Sequence, residues 1–196
     1  MVEKLCFSDY ELVERYLSGD QQALEVLIHR HKDRVYNYIL MLVKNRELAE
    51  DLFQETFIKV IRSLMQERYQ ENGKFLPWVI RIAHNLVIDH FRKEKQLNTV
   101  STDDSNGVLF NSKKFSENTI EDHLIDNQIL EEVRCLIDLL PEEQKEVVLL
   151  RHYAGLSFKE IAEQTQVSIN TALGRMRYAL INLRKIIEQK EIVLTK

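Results

Sequence analysis

Four basic side chains lie near the carboxyl end of the chain on a segment that carries no acidic residue. Arg175, Arg177, Arg184 and Lys185 all fall between Ser168 and Lys185. If this segment is helical, its cations project a positive field that attracts phosphate groups. The alternative is a solvated basic face on an ordinary helical bundle.

The same segment separates apolar from polar residues at helical spacing. An inward stripe is formed by Ala172, Met176, Leu180, Leu183 and Ile187. An outward face is formed by Thr171, Gly174, Arg175 and Tyr178. We therefore predict a helix with one buried side and one side available for contact.

A shorter helix precedes this one across a three-residue turn. Ser157 and Glu160 have the spacing of a capping box, which predicts where the shorter helix begins. Gln166, Val167 and Ser168 form the turn, with Ser168 as the N-cap of the following helix. Two helices joined in this way are typical of a helix-turn-helix DNA reader, whose second helix enters the major groove. The combination favours DNA binding over the basic-bundle alternative.

A second group of residues combines aromatic and basic side chains on one predicted helix near Pro77. The group consists of Phe75, Trp78, Arg81, Asn85, Arg92, Lys93 and Lys95. Bases stack on aromatic rings while cations follow the backbone, so the pattern suits single-stranded nucleic acid. Taken alone, the two aromatic residues are more typical of a core. The core candidates on this helix are Trp78, Ile82, Leu86 and Val87.

The segment that follows Asn45 predicts a packed helix with a polar outer edge. Its apolar stripe consists of Leu48, Leu52, Phe53, Phe57, Val60, Ile61 and Leu64. Its polar edge consists of Glu47, Glu50, Asp51, Gln54, Glu55 and Lys59. Upstream, Ser8 with Glu11 and then Asp20 mark two further helix starts, and Gly19 suits a left-handed helix end. The amino-terminal part is therefore predicted to be helical throughout.

Charge divides the chain into two lobes and a connecting segment. Residues 1–97 carry fifteen basic and fifteen acidic residues, and residues 128–196 carry ten of each. Residues 98–127 carry two basic and six acidic residues, which accounts for the whole formal charge of −4. This middle segment is rich in Asn, Ser, Thr and Asp and predicts a flexible acidic linker.

Composition favours a cytoplasmic protein without a catalytic site. Hydrophobic residues make up 44% of the 196-residue chain, but no apolar run approaches the roughly 18 residues of a membrane span. Acidic residues near the start argue against a secretory signal. The five glycines are too scattered for a phosphate loop or a dinucleotide fingerprint, and no Glu-x-x-His pair predicts a metal centre. We expect no catalytic residue, cofactor or metal.

Three segments together resemble a known family. NRELAEDLFQETFIKVIRSL, GKFLPWVIRIAHNLVIDHFRKEK and LIDLLPEEQKEVVLLRHYAGLSFKEIAEQTQVSINTALGRMRYALINLRK occur in the order found in bacterial sigma factors. The chain resembles the sigma-70 family, and within it the small extracytoplasmic function (ECF) group. The resemblance implies an all-α protein with region two at 1–97, a linker at 98–127 and region four at 128–196. It also implies binding to the beta-prime clamp and beta flap of core RNA polymerase and promoter recognition and opening, and it allows regulation by an anti-sigma factor.

Site residues follow from the resemblance, position by position. The clamp-binding segment supplies Asp51, Gln54, Glu55 and Phe57. The segment that reads and melts the minus-ten element supplies Phe75, Trp78, Arg81, Asn85, Arg92, Lys93 and Lys95, with Asn85 near the captured base. The minus-thirty-five segment supplies Ser168, Asn170, Thr171, Arg175, Arg177 and Tyr178.

The chain departs from the family pattern at three positions. Gln166 occupies a turn position where glycine is usual, so a left-handed backbone there is expected to be strained. Leu173 and Tyr178 replace residues that are often basic. The main competing hypothesis is a helix-turn-helix transcription regulator with an amino-terminal helical sensor domain. A helical interaction protein without nucleic acid would leave the basic segment unexplained.

Overall fold

The computed structural model describes residues 7–66, 68–69, 74–99 and 133–190, and every regular element within them is a helix. The chain divides into two units, Met1–Lys113 and Lys114–Lys196. The first contains α1 (Asp9–Leu17), α2 (Gln21–Val43), α3 (Arg46–Met65) and α4 (Phe75–Thr99). The second contains α5 (133–138), α6 (Glu142–Val148), a π-helical turn (Leu149–Tyr153), α7 (Phe158–Thr165) and α8 (Ile169–Gln189). The all-α prediction is confirmed, but the predicted linker lies outside the described residues except for positions 98–99.

Three helices of the first unit begin where the sequence predicts, whereas α4 begins at Phe75, two residues before the predicted start at Pro77. Ser8 and Glu11 form a reciprocal capping box at the start of α1, and the carboxylate of Asp20 accepts the backbone N–H of Gln22 at the start of α2. The amide oxygen of Asn45 accepts the backbone N–H of Leu48 at 3.1 Å and caps α3. These contacts satisfy N–H groups that the first turn of a helix leaves without partners.

The core of the first unit is built around α2, which packs against α1, α3 and α4. Tyr38 on α2 and Phe75 on α4 are among its largest fully buried side chains. The core prediction for α4 is wrong in part, because Trp78 and Ile82 are only half-buried. Their places in the core are taken by Val79, Ile80 and Ala83, with Leu86 and Val87 as predicted. Because α4 packs against both α2 and α3, its buried face is shifted by about one residue from the face that the apolar stripe predicts.

Asp9 connects α1 to α2. Its carboxylate accepts a hydrogen bond from Nη1 of Arg30 at 2.6 Å and lies 2.8 Å from Nε2 of His31. Arg30 also donates to the carbonyl oxygen of Phe7 at 2.9 Å. Burial would raise the pKa of Asp9, but the hydrogen bonds and charges of His31 and Arg30 outweigh burial and lower the pKa below its usual value.

We expect Asp9→Asn to lower the free energy of unfolding by about 1–3 kcal/mol, because half-buried donors lose a charged acceptor. Since the folded pKa is lowered, the carboxylate stabilises fully above its unfolded pKa of about 4. This contribution is lost as the pH falls through the folded value. Thermal unfolding of the parent and of Asp9→Asn between about pH 7 and pH 3 checks this, and the two curves should converge in acid. A difference in stability between the parent and Asp9→Asn that did not change with pH would contradict a role for the ionised carboxylate.

The second unit is organised by α8, which packs against α6 and α7. Ala172, Met176 and Ala179 form its buried side. The prediction that Leu180 belongs to the buried stripe is wrong, because Leu180 is 43% exposed while Ala179 is fully buried. With helices on two sides, the small Ala179 occupies the close contact. The unit also buries Lys145, whose ammonium lies 2.7 Å from a carboxylate oxygen of Asp138.

Candidate protein and nucleic-acid interfaces

The outer face of α3 carries exposed polar side chains in a row. Asp51, Gln54 and Glu55 are all exposed, and Glu55 lies 3.6 Å from Lys59 one turn further on. Ile58 is in the same row and is 47% exposed. We call Asp51, Gln54, Glu55 and Ile58 the α3 face. It offers two carboxylates and an amide followed by one exposed apolar side chain.

Phe57 does not reach the α3 face. It is 6% exposed, and its ring packs against Phe53 with centroids 4.9 Å apart. The side chain that does expose apolar surface is the next one, Ile58, and Met65 exposes 70% of its surface two turns later. Sequence reasoning missed both. For Ile58, the available signal was its position between Glu55 and Lys59 on the polar edge.

One face of α4 combines an aromatic ring with polar and basic groups. Trp78 is half-buried, and Arg81, Asn85 and Arg92 follow it at helical spacing and are exposed. We call these four residues the α4 face. Lys93 and Lys95 are also exposed near the end of the helix. The arrangement places a partly accessible ring beside an amide and two guanidinium groups, which suits stacking on a base and contact with its backbone.

Phe75 supports the α4 face from inside the core. It is fully buried, and its ring centroid lies 5.9 Å from that of Trp78. Tyr69 also packs against both rings, with centroids 4.7 Å from Trp78 and 6.1 Å from Phe75. Phe75 therefore fixes the Trp78 ring and does not itself offer a surface for a base.

His84 anchors the residue next to Asn85. Its Nδ1 lies 3.0 Å from the hydroxyl of Tyr38, which is almost fully buried. Burial lowers the pKa of His84 and so favours the neutral imidazole, whose Nδ1 can accept a hydrogen bond from the Tyr38 hydroxyl. This contact between α2 and α4 was not predicted from the sequence. It fixes the rotation of α4 at the position where Asn85 is exposed.

The helix-turn-helix predicted in the second unit is present. Ser157 and Glu160 form a reciprocal capping box at the start of α7, and Ser168 caps α8 by accepting the backbone N–H of Thr171 at 3.0 Å. Between the helices, Gln166 adopts a left-handed backbone with φ 54°. The expected strain at this position is therefore confirmed, at a cost of about 1 kcal/mol for a residue with a Cβ.

The exposed face of α8 carries most of the residues predicted to approach DNA. Asn170, Thr171, Arg177 and Tyr178 are exposed, with half-buried Gly174 between them. We call these five residues the α8 face. Ser168 is exposed too, and its hydroxyl lies 2.8 Å from that of Thr171. Because Ser168 caps the helix, its role is to start α8 and to orient Thr171.

Arg175 does not point outward as the sequence predicted. Its side chain is 22% exposed and lies 3.8 Å from a carboxylate oxygen of Glu143 on α6. Burial raises the pKa of nearby Glu146, and the charge of Arg175 opposes that rise. Asn182, two turns further along α8, donates to the side-chain oxygen of Gln144 at 2.9 Å. The prediction fails because the polar contacts between α6 and α8 hold the Arg175 side chain toward α6 instead of solvent.

A groove of about 460 Å³ runs along the other side of α8. Phe158 on α7 and Leu173 and Leu180 on α8 contribute its apolar surface, and Arg177 and Arg184 lie along it. Leu173 and Leu180 are both more than two-fifths exposed. Contiguous exposed apolar surface is a general feature of sites that contact another protein.

In the described part of the chain, no group of three or more His, Cys, Asp or Glu side chains is arranged to hold a metal ion. Within the same residues, no helix combines the length and apolarity needed to cross a membrane.

Comparison with known proteins matches both units. Residues 27–96 match the family model described as Sigma-70 region 2, and residues 130–178 match that of Sigma-70, region 4. RNA polymerase sigma factor CarQ of Myxococcus xanthus is 30% identical over 185 residues, covering 94% of this chain and 100% of CarQ. ECF RNA polymerase sigma factor SigW of Bacillus subtilis is 27% identical, covering 88% of this chain and 93% of SigW.

Two solved structures share the fold. CnrH, in complex with the cytosolic domain of CnrY, has a TM-score of 0.67 at 20% identity and covers 93% of this chain and 99% of its own. The sigma factor RpoE, in complex with the anti-sigma factor NepR from Bartonella quintana, has a TM-score of 0.61 at 17% identity. It covers 84% of this chain and 96% of its own.

A helical unit with polar and aromatic faces and a second unit with a helix-turn-helix define a transcription protein that contacts DNA. The chain belongs to the sigma-70 family of RNA polymerase sigma factors, in the ECF group. Members of this family are initiation factors without catalytic activity of their own, which bind core RNA polymerase and direct it to promoters.

Proposed function

We propose that this chain performs sigma function through three separate faces, with region two at 1–97, a linker at 98–127 and region four at 128–196. The α3 face binds the beta-prime clamp of core polymerase. The α4 face receives the single strand of the minus-ten element. The α8 face enters the major groove at the minus-thirty-five element. The chain carries out no catalytic step and acts in the cytoplasm.

One observation carries this proposal over a helix-turn-helix regulator with a sensor domain. The same chain has a helix-turn-helix and, on α4, an aromatic side chain beside exposed basic groups. A regulator that only binds duplex operators has no use for the second surface, because stacking on Trp78 requires an unpaired base. A sigma factor needs both, since it binds the duplex and then holds an opened strand.

Reconstitution with core bacterial RNA polymerase tests the proposal directly. The chain should allow initiation from a defined set of promoters, which sequencing of the transcripts would reveal. The matched control is the core enzyme without the chain on the same DNA. Binding to duplex operators without association with the core enzyme would establish the regulator instead.

Contacts on the clamp side are proposed for Asp51, Gln54 and Glu55, whose exposed polar groups suit a basic partner surface. Phe57 supports this face from below, and Ile58 adds an exposed apolar contact at its carboxyl-terminal end. Desolvated apolar anchors surrounded by polar groups are the usual arrangement of a strong protein contact.

The groove along α8 is proposed as the contact for the beta flap. Its apolar side chains Leu173 and Leu180 are exposed, and Arg177 and Arg184 add positive charge. A helix with apolar anchors and acidic flanks fits such a groove. We also propose regulation by an anti-sigma factor, a partner found with RpoE.

On the minus-ten side, Trp78 is proposed to stack with a base while Arg81, Arg92, Lys93 and Lys95 meet the backbone. Phe75 acts through Trp78. On the minus-thirty-five side, Asn170, Thr171, Arg177 and Tyr178 are proposed to approach the DNA, and Ser168 orients Thr171. Arg175 is proposed to position α8 through its contact with Glu143 on α6.

Asn85→Ala should reduce promoter opening at least about tenfold while leaving closed-complex formation nearly unchanged. The exposed amide both donates to and accepts from a base edge, but only after that base has left the duplex. Permanganate footprinting reports the opened thymines, and gel shift at low temperature reports the closed complex. Asn37→Ala, which removes an exposed amide on α2, is the matched control. Equal opening by parent and Asn85→Ala would make Asn85 an ordinary surface residue.

A further inference from the structure

Gly174 lies inside α8, five residues after the helix begins at Ile169. Glycine destabilises a helix interior relative to alanine, because it loses more backbone freedom on folding. A glycine in such a place normally relieves a close contact or allows a positive φ. At Gly174 the backbone is helical, and a Cβ built on it would meet nothing within 4 Å. The protein's own fold therefore gives no reason for the missing side chain.

The helical neighbours of Gly174 explain what the gap faces. The residues three and four positions before and after it are Asn170, Thr171, Arg177 and Tyr178, and all four are exposed. Together they provide an amide, a hydroxyl, a guanidinium and a phenol around a patch of bare backbone. These groups bond to base edges and phosphates in the major groove. The gap is thus at the centre of the α8 face.

We propose that Gly174 is a specificity-determining position at which the edge of a base pair approaches the backbone of α8 more closely than any side chain would permit. This inference rests on the proposed function, because it takes the minus-thirty-five duplex as the partner. The absence of a Cβ lets the helix lie deeper in the groove. The four surrounding side chains then reach the bases and phosphates beside that pair.

The proposal predicts that filling the gap at Gly174 stabilises the fold but weakens recognition of the minus-thirty-five element. Gly174→Ala should raise the melting temperature of the full chain by about 2–4 °C, as a better helix former in open space. The same variant should reduce the dependence of transcription initiation on the minus-thirty-five element by about tenfold, an effect comparable to the loss of a base contact. Gly174→Leu, also a good helix former, should lose more of this dependence because its side chain is larger.

The readout is initiation by the full chain with core polymerase from one promoter, taken from the transcript sequencing described above. Initiation is compared with that from the same promoter carrying a scrambled minus-thirty-five element, and the ratio measures the contribution of that element. Gly19→Ala is the matched control. Because Gly19 has φ 102°, alanine there should lower the melting temperature and leave the ratio unchanged.

The melting temperatures and initiation ratios of the Gly174 variants together support or overturn the proposal. A higher melting temperature with a lower ratio, graded from alanine to leucine, supports the proposal. An unchanged ratio in Gly174→Ala overturns it while leaving sigma function intact, and a lower melting temperature overturns it because the glycine would then serve the fold. If the parent itself initiates from no promoter, the proposed function fails, and the inference about Gly174 fails with it.

Discussion

Replacing Asp51 and Glu55 together by arginine should weaken binding of the chain to core RNA polymerase by about 100-fold, while both helical units stay folded. Both carboxylates are exposed on the α3 face, so their reversal disturbs no buried contact. Like charges brought together in an interface cost several kcal/mol, and about 3 kcal/mol corresponds to 100-fold in Kd. Titration of labelled chain with core enzyme measures the change.

A matched control separates the α3 face from net charge. Glu14→Arg with Glu25→Arg makes the same change in charge on α1 and α2, where both side chains are exposed. This pair should leave the Kd within about threefold of the parent, because dissolved salt screens exposed charges that lie away from the interface. Equal loss by both double variants would mean that net charge, and not the α3 face, governs binding to the core.

The features predicted correctly from the sequence are local ones. The capping boxes at Ser8 and Ser157, the N-caps at Asp20 and Ser168 and the left-handed Gln166 are all present. Each is decided within about four residues by hydrogen bonds that the chain makes with itself. No neighbouring helix is needed to produce them, so the residue types alone carry the information.

The rotation of each helix about its own axis was predicted less well. Trp78 was placed in the core and is half-buried, Leu180 was placed in the core and is exposed, and Arg175 was placed outward and faces α6. An apolar stripe more than about 100° wide fixes which side of a helix is buried only to within one residue. The final angle depends on which helices pack against it. That information lies in residues far away along the chain.

The same limit applies to the candidate site. The segments that form the α3, α4 and α8 faces were recognised, but the exposed Ile58 and the hydrogen bond between Tyr38 and His84 were not. Tyr38 and His84 are 46 residues apart in the chain. Neither the spacing nor the type of these two residues indicates that they meet. Only the packing of α4 on α2 brings them together.

Arg175→Ala should lower the free energy of unfolding by about 1–2 kcal/mol, between the values for exposed and buried ion pairs. The variant leaves Glu143 and the partly buried Glu146 facing α8 without the nearby cation. Because burial raises the folded pKa of Glu146 above its usual 4.5, protonation stabilises the folded chain as the pH falls. The loss in Arg175→Ala should therefore shrink as the pH falls through that raised pKa, since neutral Glu146 needs no cation.

The effect of Arg175→Ala on DNA distinguishes the two roles proposed for this residue. If Arg175 read a base, the variant would relax preference at one position of the minus-thirty-five element, with a loss of about 1–3 kcal/mol there. Its place beside Glu143 instead predicts a uniform loss that leaves the base-preference profile unchanged. Transcription from a promoter library mutated through this element measures the profile. The rescue variant is Arg175→Leu with Glu146→Leu, because removing the partly buried carboxylate together with the cation leaves no uncompensated charge at Glu146. If this double variant recovers stability and promoter use, Arg175 positions α8, whereas a profile altered at one base pair in Arg175→Ala would establish direct contact.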